Sequence, residues 1–155
     1  METTIAVEDI AYMKLALEEA AKAARQGEVP IGAVLVKEDC VVAADHNRRE
    51  QLGDATAHAE LLVIREAGRL LGGWRLPGTT LYVTLEPCPM CAGALVQARI
   101  ERLVFGATDP KGGAAGTLYN IVRDERLNHR LAVTGGILEN ECASLLQDFF
   151  RSRRF

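Results

Sequence analysis

No run of apolar residues in this sequence approaches the roughly 18 that a membrane-spanning helix requires, which sets membrane proteins of that kind aside. An excess of positive charge is missing too. The chain has 18 Lys+Arg against 21 Asp+Glu, a formal net charge of −3, so bulk charge does not mark a polyanion binder. The first residues are acidic (Glu2, Glu8, Asp9) and lack the pattern of a secretion signal, which makes the cytoplasm the expected compartment. Repeats, low-complexity tracts and linkers are absent, so one domain over residues 1–155 is expected. What is there is an ordinary globular composition, 48% hydrophobic and 25% charged, in a chain long enough to bury a core.

Charge is unevenly spread. The acidic excess lies in the first hundred residues; beyond position 110 the basic residues are Lys111 and then arginines only, at 123, 126, 130, 151, 153 and 154. Arginine forks onto phosphate and stacks on bases, so this half could face RNA or simply be a solvated surface with a basic tail. Cysteine is sparse, with four residues. Cys40, in a strand-like stretch, and Cys142, in an apolar-periodic helix, are expected as buried small hydrophobes. Cys88 and Cys91 form a close pair of the kind that binds metal or does redox chemistry in a reducing compartment.

Helical spacing of apolar residues over 8–26, stopped at Gly27, predicts a first helix. Ile31–Val36 and Val41–Ala44 predict a hairpin around Lys37-Glu38-Asp39. Thr56 is placed to cap a helix running to about Leu71. Gly72-Gly73 and Pro77-Gly78 then bracket a turn before a strand at Thr79–Leu85. A helix is expected from Pro87 to about Ala98, strands at Arg102–Phe105 and Ala132–Thr134, and a last helix from about Leu138 to Arg151. Strands alternating with helices indicate an α/β chain with a mixed sheet and helices on its faces.

The chemistry is concentrated in His58-Ala59-Glu60 and Pro87-Cys88-Pro89-Met90-Cys91. On a helix, cysteines three apart share a face and can grip one ion. The positive end of a helix favours thiolate over thiol. His58 would add a neutral third ligand, and two thiolates, one imidazole and Zn²⁺ sum to zero charge. Three protein ligands leave a fourth position for water, as in catalytic zinc sites, and bound zinc brings that water's pKa to about 7. Glu60 is the carboxylate available to move protons. It can share a site with His58 only across the first turn of a helix, since residues two apart diverge in a helix interior. Met90 reads as packing. A structural zinc would need a fourth ligand from His46, His129, Cys40 or Cys142, none spaced as a second knuckle. A redox Cys-Pro-Met-Cys pair would leave His58 and Glu60 unexplained.

The His-x-Glu and Pro-Cys-x-x-Cys pieces resemble the signature of the zinc-dependent cytidine-deaminase-like superfamily. Within it the chain looks like a bacterial-type tRNA adenosine deaminase over essentially its whole length. Val29-Pro30-Ile31-Gly32-Ala33, Asn47, Leu81–Cys88, Cys91-Ala92-Gly93-Ala94, Phe105–Gly116, Asn128-His129-Arg130 and Asp148-Phe149-Phe150-Arg151 carry the likeness. Gly72-Gly73-Trp74, Pro110 and Gly112 depart from it.

The resemblance implies a three-layer α/β/α fold around a five-stranded mixed sheet, one zinc per subunit on His58, Cys88 and Cys91, and a homodimer. It also implies hydrolysis of adenosine to inosine at the wobble position of a tRNA anticodon loop, with Glu60 shuttling protons from water to N1 and to the departing amine. By the same resemblance Asn47 and Ala59 would contact the target base. Asp109, Lys111, Phe149, Arg151 and Arg153 would hold flanking nucleotides, with Phe149 or Phe150 able to stack on a splayed base. Two other readings use the same residues: a deaminase of a small substrate such as guanine, cytosine or a nucleotide, and a non-catalytic zinc-stabilised binding module.

Overall fold

A computed structural model of the chain describes residues 6–153. Its elements, in order, are α1 (Val7–Arg25), β1 (Gly32–Lys37), β2 (Cys40–His46), α2 (Arg49–Leu52), α3 (Ala59–Leu71), β3 (Thr79–Leu85), α4 (Pro89–Gln97), β4 (Arg102–Ala107), β5 (Ala132–Thr134) and α5 (Glu139–Ser152). The five strands form one sheet in the order β2-β1-β3-β4-β5. β1 pairs antiparallel with β2 and β3, whereas β3, β4 and β5 run parallel.

Alternation along the strands explains the layers. Ala33, Leu35, Leu81, Val83, Leu103 and Phe105 point to one face, where they pack with Val63 and Ala67 of α3 and Ala92 and Leu95 of α4. Val34, Val36, Tyr82 and Val104 point to the other, against Met13 and Ala16 of α1 and Cys142 of α5. Both faces are covered, so the inner strands read as continuous apolar runs. α1 lies close against β1: a Cβ on Gly32 would strike the backbone of Ala16 and Ala20. A buried polar cluster ties the same face together. Asp9 of α1, its side chain 3% exposed, accepts from Tyr82 Oη at 2.8 Å and from both Arg102 nitrogens at 2.8 and 2.7 Å.

Several sequence expectations are corrected. Cys40 is exposed beside the hairpin turn rather than buried, while Cys142 is buried as expected. The α3 N-cap is His58 and not Thr56, whose hydroxyl instead bonds Asp54. α4 begins at Pro89, behind Cys88 as N-cap, and not at Pro87. Met90, read as packing, is 38% exposed. The one-turn helix α2 carries no apolar period that could have announced it.

Candidate active site

Helices α3 and α4 start beside the same end of β3, and each presents its N-cap side chain to the other. Neither His58 nor Cys88 makes a side-chain capping bond. His58 Nδ1 instead faces Cys88 Sγ at 3.6 Å and Cys91 Sγ at 3.4 Å. All three donor atoms lie within 4.8 Å of one another. Donors held by one tetrahedral zinc at 2.0–2.3 Å stand about 3.4–3.8 Å apart, so the imidazole–sulfur spacings fit such an ion. None of the other candidates for a fourth ligand joins the group. His46 bonds Glu19 and Gln26, His129 bonds the Ile100 carbonyl, Cys40 is at the surface and Cys142 sits in the core. Three protein donors and an open side are what is available.

Electrostatics agree with a metal-capable group. The Cys91 thiol and the His58 ring hold Cys88 down at about 4, against the cost of partial burial. The Cys88 contact in turn raises His58, and with burial it pushes Cys91 up. A cation placed between the sulfurs would displace the Cys91 proton. Glu60, in the first turn of α3 and 4% exposed, has its carboxyl pushed up to about 7 by burial.

These residues border a cavity of about 180 Å³, the scale of one nucleobase, which also touches Asn47, Ala59, Glu86 and Asp109. Asn47 is held at both ends of its amide: Nδ2 donates to Val29 O at 3.3 Å and Oδ1 accepts from Arg49 N at 3.2 Å. One N–H and one lone pair remain for a ligand.

Arg49, Leu85 and Asp109 line this cavity and also a second, of about 930 Å³, bordered by Lys111, Phe150 and Arg151. The loop after β4 forms one of its walls. That loop is held by the buried Glu86 carboxylate, which accepts from Asp109 N at 3.1 Å, Ala115 N at 3.0 Å, Thr117 N at 3.1 Å and the Thr117 hydroxyl. Those bonds hold Glu86 below the usual carboxylate range against the opposing effect of its burial. Gly113 has no room for a side chain there, since a Cβ would lie 2.7 Å from Asp109 O and closer still to the carboxylate.

The structure thus gathers His58, Ala59, Glu60, Cys88, Cys91, Asn47 and Asp109 around one cavity, and Lys111 and Arg151 around the next. Phe149 and Arg153 border neither. Phe149 is 9% exposed, with the Arg153 guanidinium 4.3 Å above its ring, so the ring offered to the large cavity is that of Phe150. His129 and Arg130 anchor the returning loop to Ile100 O and Glu125 O, away from both cavities. Arg154 lies outside the described residues. Sequence reasoning missed Arg49 and Glu86. Glu86 had one signal, a carboxylate in an otherwise apolar approach to Cys88; Arg49 had none.

Fold and site together define a hydrolytic deaminase of the mixed-sheet α/β/α kind. The family model described as MafB19-like deaminase matches residues 7–154. A tRNA-specific adenosine deaminase of Bacillus subtilis (strain 168) is 58% identical over 147 residues, covering 95% of this chain and 91% of its own length. A structure from a study of A-to-I editing by tRNA:A34 deaminases at the wobble position superimposes with a TM-score of 0.85 at 51% identity, covering 88% of this chain and 99% of that one. A guanine deaminase from Bacillus subtilis gives 0.64 at 35% identity, covering 73% and 71%. The chain belongs to this deaminase family and, within it, groups with the tRNA-specific adenosine deaminases.

Proposed function

We propose that the protein hydrolyses the wobble adenosine of a tRNA anticodon loop to inosine, releasing ammonia. The observation that carries this is the pairing of cavities: a base-sized pocket at the His-Cys-Cys group opens into a cleft about five times larger, walled by Arg49, Lys111, Arg151 and Phe150. A free base needs only the first. A base splayed from a loop brings flanking nucleotides that need the second, and loop bases are the cheapest to extrude.

His58, Cys88 and Cys91 would hold one zinc ion, with both thiols deprotonated. Bound zinc supplies Lewis acidity that activates a water at neutral pH. Asn47, fixed by Val29 and Arg49, offers its remaining donor and acceptor to the purine edge. Glu60, buried at the pocket, takes a proton from the attacking water and delivers it to N1 of the purine, then carries the proton of the new C6 hydroxyl to the amine, which leaves as ammonia. Ala59 borders the base, and Asp109, Lys111 and Arg151 face the flanking nucleotides. The exposed Phe150 ring supplies a stacking surface there.

Two further features complete the reading. Exposed Leu118 and Tyr119 lie on the loop bonded to Pro87 O through Ala114 N, and Met90 is exposed on α4, which supports a homodimer that covers them. No helix among the described residues is long and apolar enough to cross a membrane, and the four cysteines are free, which supports a cytoplasmic site of action.

The likeness to a guanine deaminase favours a second reading, a small free base as substrate. One experiment separates the two. The protein is incubated with an anticodon stem-loop bearing a wobble adenosine and, in parallel, with free guanine, cytidine and adenosine. Inosine in the nuclease digest of the stem-loop is expected. Ammonia from free guanine alone would overturn the tRNA reading.

A further inference from the structure

We infer that Arg49 is a specificity-determining residue that binds a backbone phosphate of the extruded nucleotide; this rests on the reading of a loop adenosine as substrate. Arg49 borders both the base pocket and the large cleft, which puts the residue at the doorway between them. A nucleotide whose base has entered the pocket must leave its sugar and phosphates at that doorway.

The residue is presented by a built support. Arg49 opens the one-turn helix α2, too short to persist by itself. Its first three N–H groups, which such a helix leaves free, are all taken by buried side chains. Asn47 Oδ1 accepts from Arg49 N at 3.2 Å, and the Glu28 carboxylate accepts from Glu50 N at 3.0 Å and Gln51 N at 2.6 Å. Glu28 is 1% exposed and Asn47 3%. The backbone amides are therefore occupied, and only the side chain is free to meet a ligand.

The neighbouring Arg48 makes the contrast. Its guanidinium is spent on Asp45 at 2.8 Å and Gln51 at 3.2 Å, whereas that of Arg49 is exposed and makes no hydrogen bond or ion pair among the described residues. A fork-shaped, unspent cation on a firmly held stretch of backbone beside a base pocket matches a phosphate. The same Asn47 amide that offers its free edge to the base also fixes the start of α2, so base and phosphate are gripped by one unit.

The test is steady-state kinetics on the wobble-adenosine stem-loop over a series of salt concentrations, with Arg49→Gln, Arg49→Lys and, as a surface control, Arg126→Gln. For Arg49→Gln, KM is expected to rise about tenfold with kcat within about twofold, as for one lost charge-assisted hydrogen bond. The slope of log(kcat/KM) against log[salt] should become shallower by about 0.7, the counterion released per single-strand phosphate. Arg49→Lys should restore the slope and part of KM, and Arg126→Gln should match the parent. An Arg49→Gln enzyme with parental KM and salt slope would overturn the inference while leaving the substrate reading intact. A parent protein inert on the stem-loop would instead sink the reading beneath it.

Discussion

Glu86 offers the sharpest test of how the site is held. One carboxylate oxygen accepts from Asp109 N and the Thr117 hydroxyl, the other from Ala115 N and Thr117 N. In Glu86→Gln the new amide must point its NH2 at one of these pairs. The cheaper orientation turns it to the first pair, because the Thr117 hydroxyl can rotate and accept, and this orphans one N–H, that of Asp109. An unsatisfied amide costs about 1–3 kcal/mol, and the remaining bonds lose their charge assistance, so about 2 kcal/mol in all is expected. For a chain of this size that lowers Tm by about 4–8 °C. Glu86→Ala orphans every donor and should fall further, though water entering from the cleft limits the loss to about 4 kcal/mol. Thermal melting monitored by circular dichroism reads the stability. Kinetics on the stem-loop should show KM rising more than kcat falls, because the freed Asp109 borders both cavities. A Gln variant that melts within about 1 °C of the parent and keeps its KM would refute the view that this carboxylate sets the loop.

Other outcomes follow from the same geometry. Glu60→Ala should abolish turnover while elemental analysis still finds one zinc per chain; surviving activity would remove Glu60 from the proton path. Stripping metal with a chelator should end activity and zinc should restore it, whereas full activity in metal-free protein would contradict the reading of His58, Cys88 and Cys91. Asp9→Asn should cost about 2 kcal/mol at neutral pH, because Asp9 is held below its ordinary 3.8 by Arg102 and Tyr82 despite the cost of burial. A depressed carboxylate contributes above its unfolded pKa and loses that contribution as pH falls through its folded pKa. The gap between parent and variant in chemical denaturation should therefore hold above about pH 4 and close below it. Phe149→Ala should lower stability by about 3 kcal/mol, while Phe150→Ala should leave stability nearly unchanged and raise stem-loop KM roughly fivefold; the reverse pattern would reassign the two rings.

The difference between those two phenylalanines was legible in the sequence to a reader who followed the helix. Cys142 and Phe149 are seven apart, two turns along one stripe, and both are buried. Ala143, Leu146, Gln147, Phe150 and Arg151 form the adjacent stripe, with spacings of three, four and seven, and all border the cleft. An argument from residue type alone could not separate the rings; periodicity could. Strands β1, β3 and β4 were equally legible because burial on both faces leaves near-continuous β-branched and apolar runs. Cys40 misled because the stretch after the hairpin turn reads as strand, yet β2 is the sheet edge and its first residues are open to solvent. Helix α2 was invisible. Four residues hold no period, and what stabilises them is Glu28, more than twenty positions upstream.

The misplaced cap of α3 has a physical cause that also explains the site. A cap is expected where a small polar side chain can bond the first free N–H groups, and Thr56 is such a residue. The helix instead starts after His58, and α4 starts after Cys88, with neither N-cap bonding its own helix. Both positions forgo a capping bond, each worth about 1 kcal/mol, and turn their side chains toward a common point. Two helix N-termini converging there put partial positive charge beside the sulfurs, which favours the thiolate a metal needs. Cys91, in the first turn of α4, closes the group, and Glu60, in the first turn of α3, stands beside it. A metal ion held by His58, Cys88 and Cys91 would instead tie the two helix starts to each other. Apo protein should therefore fray first at the starts of α3 and α4, which hydrogen exchange of the amides at Leu61, Leu62, Ala92 and Gly93 with and without zinc would reveal. Equal protection in both states would mean that the two helix starts are held by packing alone.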